Sequence, residues 1–65
     1  MAENEMRVER ARLRITQEQL AKKVGVSRQT IHAVESQKFE PGLNLAQRIA
    51  RFFGKGTDDV FPRKD

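Results

Sequence analysis

The sequence has no cysteine, no tryptophan and no tyrosine, only two prolines, and a single histidine, His32. Without cysteine there is no disulfide, no thiolate metal site and no cysteine nucleophile. One imidazole cannot build a metal centre unless carboxylates are gathered round it, and no nucleophile–base pair is visible either. The expectation is therefore no metal, no cofactor and no enzymatic activity. The longest uninterrupted apolar run is two residues, far short of the roughly 20 that a membrane-spanning helix needs. The N-terminus lacks the apolar stretch of a signal peptide, so a cytoplasmic protein is expected. Repeats, low-complexity tracts and the alternating pattern of a half-buried strand are also missing.

What remains is small and basic. Sixty-five residues allow one domain, with hydrophobic residues making up 37%. A chain of this size buries only about 60% of its unfolded surface, so its core has little reserve and self-association is a natural recourse. Thirteen Lys and Arg against nine Asp and Glu give a net charge of +4. Most of the excess lies in residues 1–38, which carry eight basic and five acidic side chains. A basic balance suits a polyanionic partner.

Helical periodicity dominates. Met6, Arg10 and Leu13 recur at helical spacing and predict a first helix over about residues 4–13, with residues 1–5 as a flexible N-terminus. Thr16-x-x-Gln19 is a capping box, and Ile15 with Leu20 forms a hydrophobic staple around it. The second helix buries Leu20, Ala21 and Val24, and Gly25 suits a left-handed stop. Ser27 then caps a third helix over about residues 28–36, with Val26 and Ile31 as a second staple. Two short helices joined by a tight glycine-containing turn form a helix-turn-helix, about residues 17–36. Phe39-Glu40-Pro41-Gly42 reads as a loop. A fourth helix follows over about residues 43–53, and Gly54 and Gly56 end it. Thr57-Asp58-Asp59 is expected to cap a final turn that returns Val60 and Phe61 to the core. Residues 62–65 form a solvated tail.

On a helical wheel, Arg28, Gln29, His32, Ala33 and Ser36 fall together on the outward side of the third helix. An α-helix fits the major groove of B-DNA, where Arg can donate two hydrogen bonds to guanine and Gln can pair with adenine. Arg28 and Gln29 are thus candidate base readers. His32 reads equally as a base or phosphate contact or as a plain surface histidine. The Ala33 methyl either meets a thymine methyl or merely avoids a clash. Gln17, in the first turn of the second helix, and Lys38, just past the third, suit phosphate oxygens. Ser27, Thr30 and Ser36 are further hydroxyl candidates for phosphate contact. Arg10 and Glu35 are charges on or beside apolar stripes, which is tolerable if they pair and costly if they do not. The alternative is that both side chains reach out to water.

The run from Ile15 to Ile31, ITQEQLAKKVGVSRQTI, together with Glu35, Lys38, Pro41, Leu45-Ala46, Ile49–Gly54 and the ending Asp58-Asp59-Val60-Phe61, resembles the Cro/C1-type helix-turn-helix (XRE) family, in its short stand-alone form of the cytolysin-repressor type. The resemblance spans about residues 6–61. It implies an all-α, compact five-helix, lambda-repressor-like domain that binds double-stranded DNA. It also implies base contacts from Arg28, Gln29 and Ala33, a phosphate contact from Gln17 and a structural Arg10–Glu35 ion pair. The chain departs from the pattern in having Gln37 where many members have Gly, and Glu40 where a carboxylate repels phosphate. The expected function is a transcriptional regulator, a homodimeric repressor reading an inverted repeat. Phe52, Phe53, Val60 and Phe61 crowd the last two helical segments and are expected at the dimer interface. No membrane and no small-molecule ligand are expected. The competing expectation is a protein-interaction module, an antitoxin or co-activator bridge; the four residues after Phe61 offer little neutralising extension.

Overall fold

The computed structural model describes residues 4–62. Within them lie five helices and no strand: α1 (Met6–Leu13), α2 (Gln17–Val24), α3 (Arg28–Glu35), α4 (Leu43–Phe53) and α5 (Thr57–Val60). Met6, Leu20, Ile31, Val34, Ile49 and Val60 are wholly enclosed at the centre, so every helix contributes at least one side chain to a single core. Ile15 and Val26 pack half-buried against that core, each just outside a helix cap.

Helices α2 and α3 start on side-chain caps, whereas the N-cap residues of α1 and α4, Glu5 and Gly42, make no such bond. Thr16 Oγ1 accepts from the Gln19 N–H and the Gln19 side chain accepts from the Thr16 N–H, which closes the capping box at α2. Ser27 Oγ accepts from the Thr30 N–H at α3. These bonds satisfy amide donors that the helix itself leaves free. At the other ends, α1, α2 and α4 finish on left-handed residues: Arg14, Gly25 and Gly54. Beyond α3, Gln37 adopts a φ of 63°. Its N–H reaches the Val34 carbonyl while the Lys38 N–H reaches that of Ala33, the paired bonds of a Schellman turn. Arg14 closes α1 the same way, through Ala11 and Arg10. Side chains other than glycine make both turns costlier, by about 1–2 kcal/mol for a left-handed residue.

Three expectations need correcting. On α1, Leu13 is exposed and Glu9 is buried. The inward face therefore runs from Met6 to Glu9, one turn on. Glu9 is tolerated there because Arg12 and Lys55 hold it, at 2.7 and 3.5 Å. Arg12 also donates to the Phe53 carbonyl at 3.4 Å, which fastens α1 to the end of α4. Second, Asn4 and Glu5, expected to fray, are tied down. Asn4 Nδ2 donates to the Val34 carbonyl, Asn4 Oδ1 accepts from the Met6 N–H, and the Glu5 N–H donates to the Val60 carbonyl. Residues 1–3 of the expected flexible N-terminus, and 63–65 of the expected tail, lie outside the described residues. Third, the N-cap of α5 is Gly56, one residue before the expected Thr57-Asp58-Asp59 run; of that run, the Asp59 carboxylate makes the capping bond, accepting from the Gly56 N–H at 3.3 Å.

Candidate nucleic-acid interface

Helices α2 and α3 pack against each other through Leu20, Ala21, Val24, Ile31 and Val34, separated only by Gly25, Val26 and Ser27. So short a link holds the two helices in fixed relation. Gly25 has a φ of 80°, a backbone conformation that a side chain disfavours. Arg48 on α4 donates to the neighbouring Val24 carbonyl at 2.8 Å. Its guanidinium would sit 3.3 Å from a β-carbon at position 25. Arg48 thus serves the carbonyl end of α2 where the turn begins, a role that nothing in its sequence position advertised.

With the inner face of α3 fixed by Ile31 and Val34, its other side faces solvent. Arg28, Gln29 and His32 are exposed and Ala33 is half-buried. Their side chains are not consumed by packing, apart from a long contact between Arg28 Nη1 and Gln17 Oε1 at 3.5 Å. That contact brings the first residue of α2 beside the first residue of α3.

Beneath this surface lies a buried charge. Glu35 accepts from Arg10 Nε at 2.5 Å and from Arg10 Nη2 at 3.1 Å, a two-pronged pairing. Gln17 Nε2 donates to the same carboxylate at 3.0 Å, and Arg10 Nη1 donates to the Ile15 carbonyl. The side chains of Glu35 and Arg10 are only 1% and 17% exposed. Burial pushes the Glu35 carboxyl upward, but the hydrogen bonds from Arg10 and Gln17 and the charges of Arg10 and Arg7 outweigh it, and the net displacement is downward. The carboxylate is therefore ionised at neutral pH and anchors α1, α2 and α3 at one point. Glu9 is likewise held low, chiefly by its hydrogen bond from Arg12, with burial opposing.

The expected phosphate-contacting residues fall into two groups. Lys38 is exposed. Gln17 is half-buried, with its amide engaged by Glu35 and Arg28, so its second side-chain N–H and its backbone N–H are what it can offer. The three hydroxyls are largely taken up within α3. Ser27 Oγ and Thr30 Oγ1 bond each other at 3.0 Å, leaving one hydroxyl proton between them. Ser36 Oγ donates to the His32 carbonyl at 2.8 Å, so its proton is already used and it is withdrawn as a donor.

Two of the residues expected at a dimer interface are elsewhere. Phe53 and Val60 lie inside the core, closed off by the packing of α5 onto α4. Phe52 and Phe61 are half-buried. The large apolar side chains that do face solvent are Leu43, 71% exposed, and Phe39, 50% exposed, with Val8 and Leu13 on α1. Periodicity places Leu13 on the inward stripe of α1 and gives Leu43, Phe39 and Val8 no place, because their exposure is set only when the helices dock. Glu9 stands where relatives of the family often carry an aliphatic residue or a Lys, a departure visible in the sequence, but its burial and its pairing with Arg12 and Lys55 were not foreseen.

A five-helix domain built round two capped helices in tight succession is a helix-turn-helix domain. The helix-turn-helix family model matches residues 6–60. An uncharacterised HTH-type transcriptional regulator of Methanocaldococcus jannaschii is 52% identical over 62 residues, covering 95% of this chain and 94% of that protein. One of Methanothermobacter thermautotrophicus is 49% identical, covering 86% and 83%. Another, of Bacillus subtilis, is 41% identical, covering 89% and 88%. The chain belongs to the helix-turn-helix family, of the Cro/C1 type.

Among the described residues, no group of His, Asp and Glu is gathered as metal ligands, and no helix is long and apolar enough to cross a membrane.

Proposed function

We propose that this protein is a sequence-specific double-stranded-DNA-binding transcriptional regulator, a homodimeric repressor that reads an inverted repeat with α3 in the major groove. The observation that carries this reading is the solvent-facing polar arc of α3, begun by Arg28 and Gln29, with the first residue of α2 beside it. Membership of the family and the names of the relatives support it. Arg28 and Gln29 reach base edges, with His32 and Ala33 behind them along the groove. Lys38 and the free N–H groups of Gln17 meet phosphates on either flank. Dimerisation uses the half-buried Phe52 and Phe61, and an isologous pair sets half-sites about 10–10.5 bp apart.

The test is a binding series on duplexes selected from a random pool, with Arg28→Ala, Gln29→Ala and Lys38→Ala, each at several salt concentrations. Loss of a bidentate base contact costs about 1–3 kcal/mol and relaxes preference at one base pair. Loss of Lys38 weakens all sequences alike and lowers the salt slope by about one per half-site. Equal loss on selected and random DNA for both α3 variants would remove α3 as the reading helix. Sedimentation showing only monomer, with and without DNA, would remove the dimer.

A further inference from the structure

The line of polar groups that begins at Arg28 and passes through Gln17 does not stop at Glu35. Arg7, one turn before Arg10 on α1, places its Nε 4.0 Å from Glu35 Oε1, the same oxygen that accepts from Gln17. That separation is too long for a hydrogen bond. Glu35 is already answered by both prongs of Arg10 and by the Gln17 amide. Arg7 is the last and smallest of the influences on its carboxyl. The Arg7 side chain is itself 75% exposed, whereas the carboxylate beneath it is 1% exposed. One negative charge is thus matched below the surface, and a second guanidinium stands above it in water. Among the described residues, no acceptor lies within hydrogen-bonding distance of Arg7.

We propose that Arg7 is a phosphate-binding residue of the DNA interface, extending the contact surface from the start of α2 onto α1. The proposal rests on the DNA-binding reading above. Three physical points carry it. Arg7 and the Gln17 amide are neighbours across a single oxygen atom, so a strand that meets Gln17 passes within reach of Arg7. An exposed ion pair at this distance contributes little to the fold, so the guanidinium is free for another task. Its planar fork of donors matches phosphate oxygens, and neutralising one phosphate releases condensed counterions irrespective of base sequence. Other exposed cations, such as Lys22 and Lys23, have no comparable link to the α2–α3 corner.

The experiment compares the full chain with Arg7→Gln and Arg7→Lys on several labelled duplexes of different sequence, each titrated with salt, with Lys38→Gln as reference. Thermal melts are recorded in parallel. The expected result for Arg7→Gln is a salt slope smaller by about 0.9 per bound protomer, an equal effect on every duplex, and an unchanged melting midpoint. Arg7→Lys keeps the charge and therefore keeps the slope. In the unsubstituted protein, the Arg7 Nε–H resonance should shift on addition of a duplex, a readout independent of any variant. A parental slope in Arg7→Gln, or a lowered melting midpoint without a change of slope, overturns the proposal and leaves Arg7 as a prop for Glu35. If the parent fails to bind any duplex even at low salt, the DNA-binding reading itself falls. If the parent binds, Lys38→Gln lowers the slope and Arg7→Gln does not, only the present inference falls.

Discussion

Substituting Arg10 by Ala tests the buried charge on which three helices converge. The substitution leaves Glu35, 1% exposed at its side chain, without the guanidinium that gave it two hydrogen bonds. Orphaning one member of a buried pair costs about 3–5 kcal/mol. The lower end applies, because Gln17 still donates to the carboxylate and Arg7 stands nearby. A 65-residue domain has a total stability of about 3–10 kcal/mol at typical per-residue values. Arg10→Ala should therefore lower the melting midpoint by at least about 12 °C, and it comes close to unfolding the protein outright. With no Trp or Tyr in the chain, the assay is helical circular dichroism rather than fluorescence. The sign of the pH dependence gives a second check. In the parent the Glu35 pKa is lowered from its ordinary value of 4.5, so its contribution is complete above that value and is lost as pH falls through the depressed one. In Arg10→Ala, burial is less opposed and the carboxyl rises, so the variant gains from protonation where the parent loses. The gap between the two should narrow as pH drops below 4.5. Replacing both partners by apolar residues, Arg10→Met with Glu35→Leu, should be far milder than either single loss, since no charge is left unmatched. An Arg10→Ala protein that melts within about 2 °C of the parent at neutral pH refutes the reasoning.

Gln37→Gly and Arg14→Gly each relieve a left-handed side chain and should raise stability by about 0.5–1 kcal/mol in urea titrations; a loss in either would mean the side chain itself stabilises the turn. Gly25→Ala should destabilise by about 1 kcal/mol or more, from its positive φ and its approach to Arg48; pairing it with Arg48→Ala should recover only the part due to crowding. Ile49→Ala, at a fully enclosed site, should cost about 2–5 kcal/mol, and a smaller loss would show that the core collapses onto the space. Glu9→Gln should lower the melting midpoint at neutral pH by severing the Arg12 and Lys55 pairings. Because the Glu9 carboxyl is held low, that difference should disappear in acid, where the parent loses the same charge.

Much of this protein was determined locally, and those parts were legible in the chain. A capping box, a serine cap, two staples and a glycine stop act over three to five residues, so ITQEQLAKKVGVSRQTI marks where two helices and the turn between them begin and end, while their stability comes from packing on the rest. The outward arc of α3 follows from the helical period once Ile31 and Val34 are assigned inward. The pairing of Arg10 with Glu35 was open to inference because a charge on an apolar stripe needs a partner, although only the docked helices decide that the two meet. What required tertiary structure is whatever depends on which face of a helix finds a neighbour. Leu13 and Glu9 lie one turn apart on α1, and the packing of α4 and Lys55 buries the carboxylate while the leucine faces water. Phe53 and Val60 enter the core where α5 packs against the end of α4, whereas Leu43, the first residue of α4, stays exposed. Asn4 is held by the Val34 carbonyl, 30 positions away. Periodicity gives each helix an apolar face; its width, and the charged residues that can share it, are set by the elements packed against it.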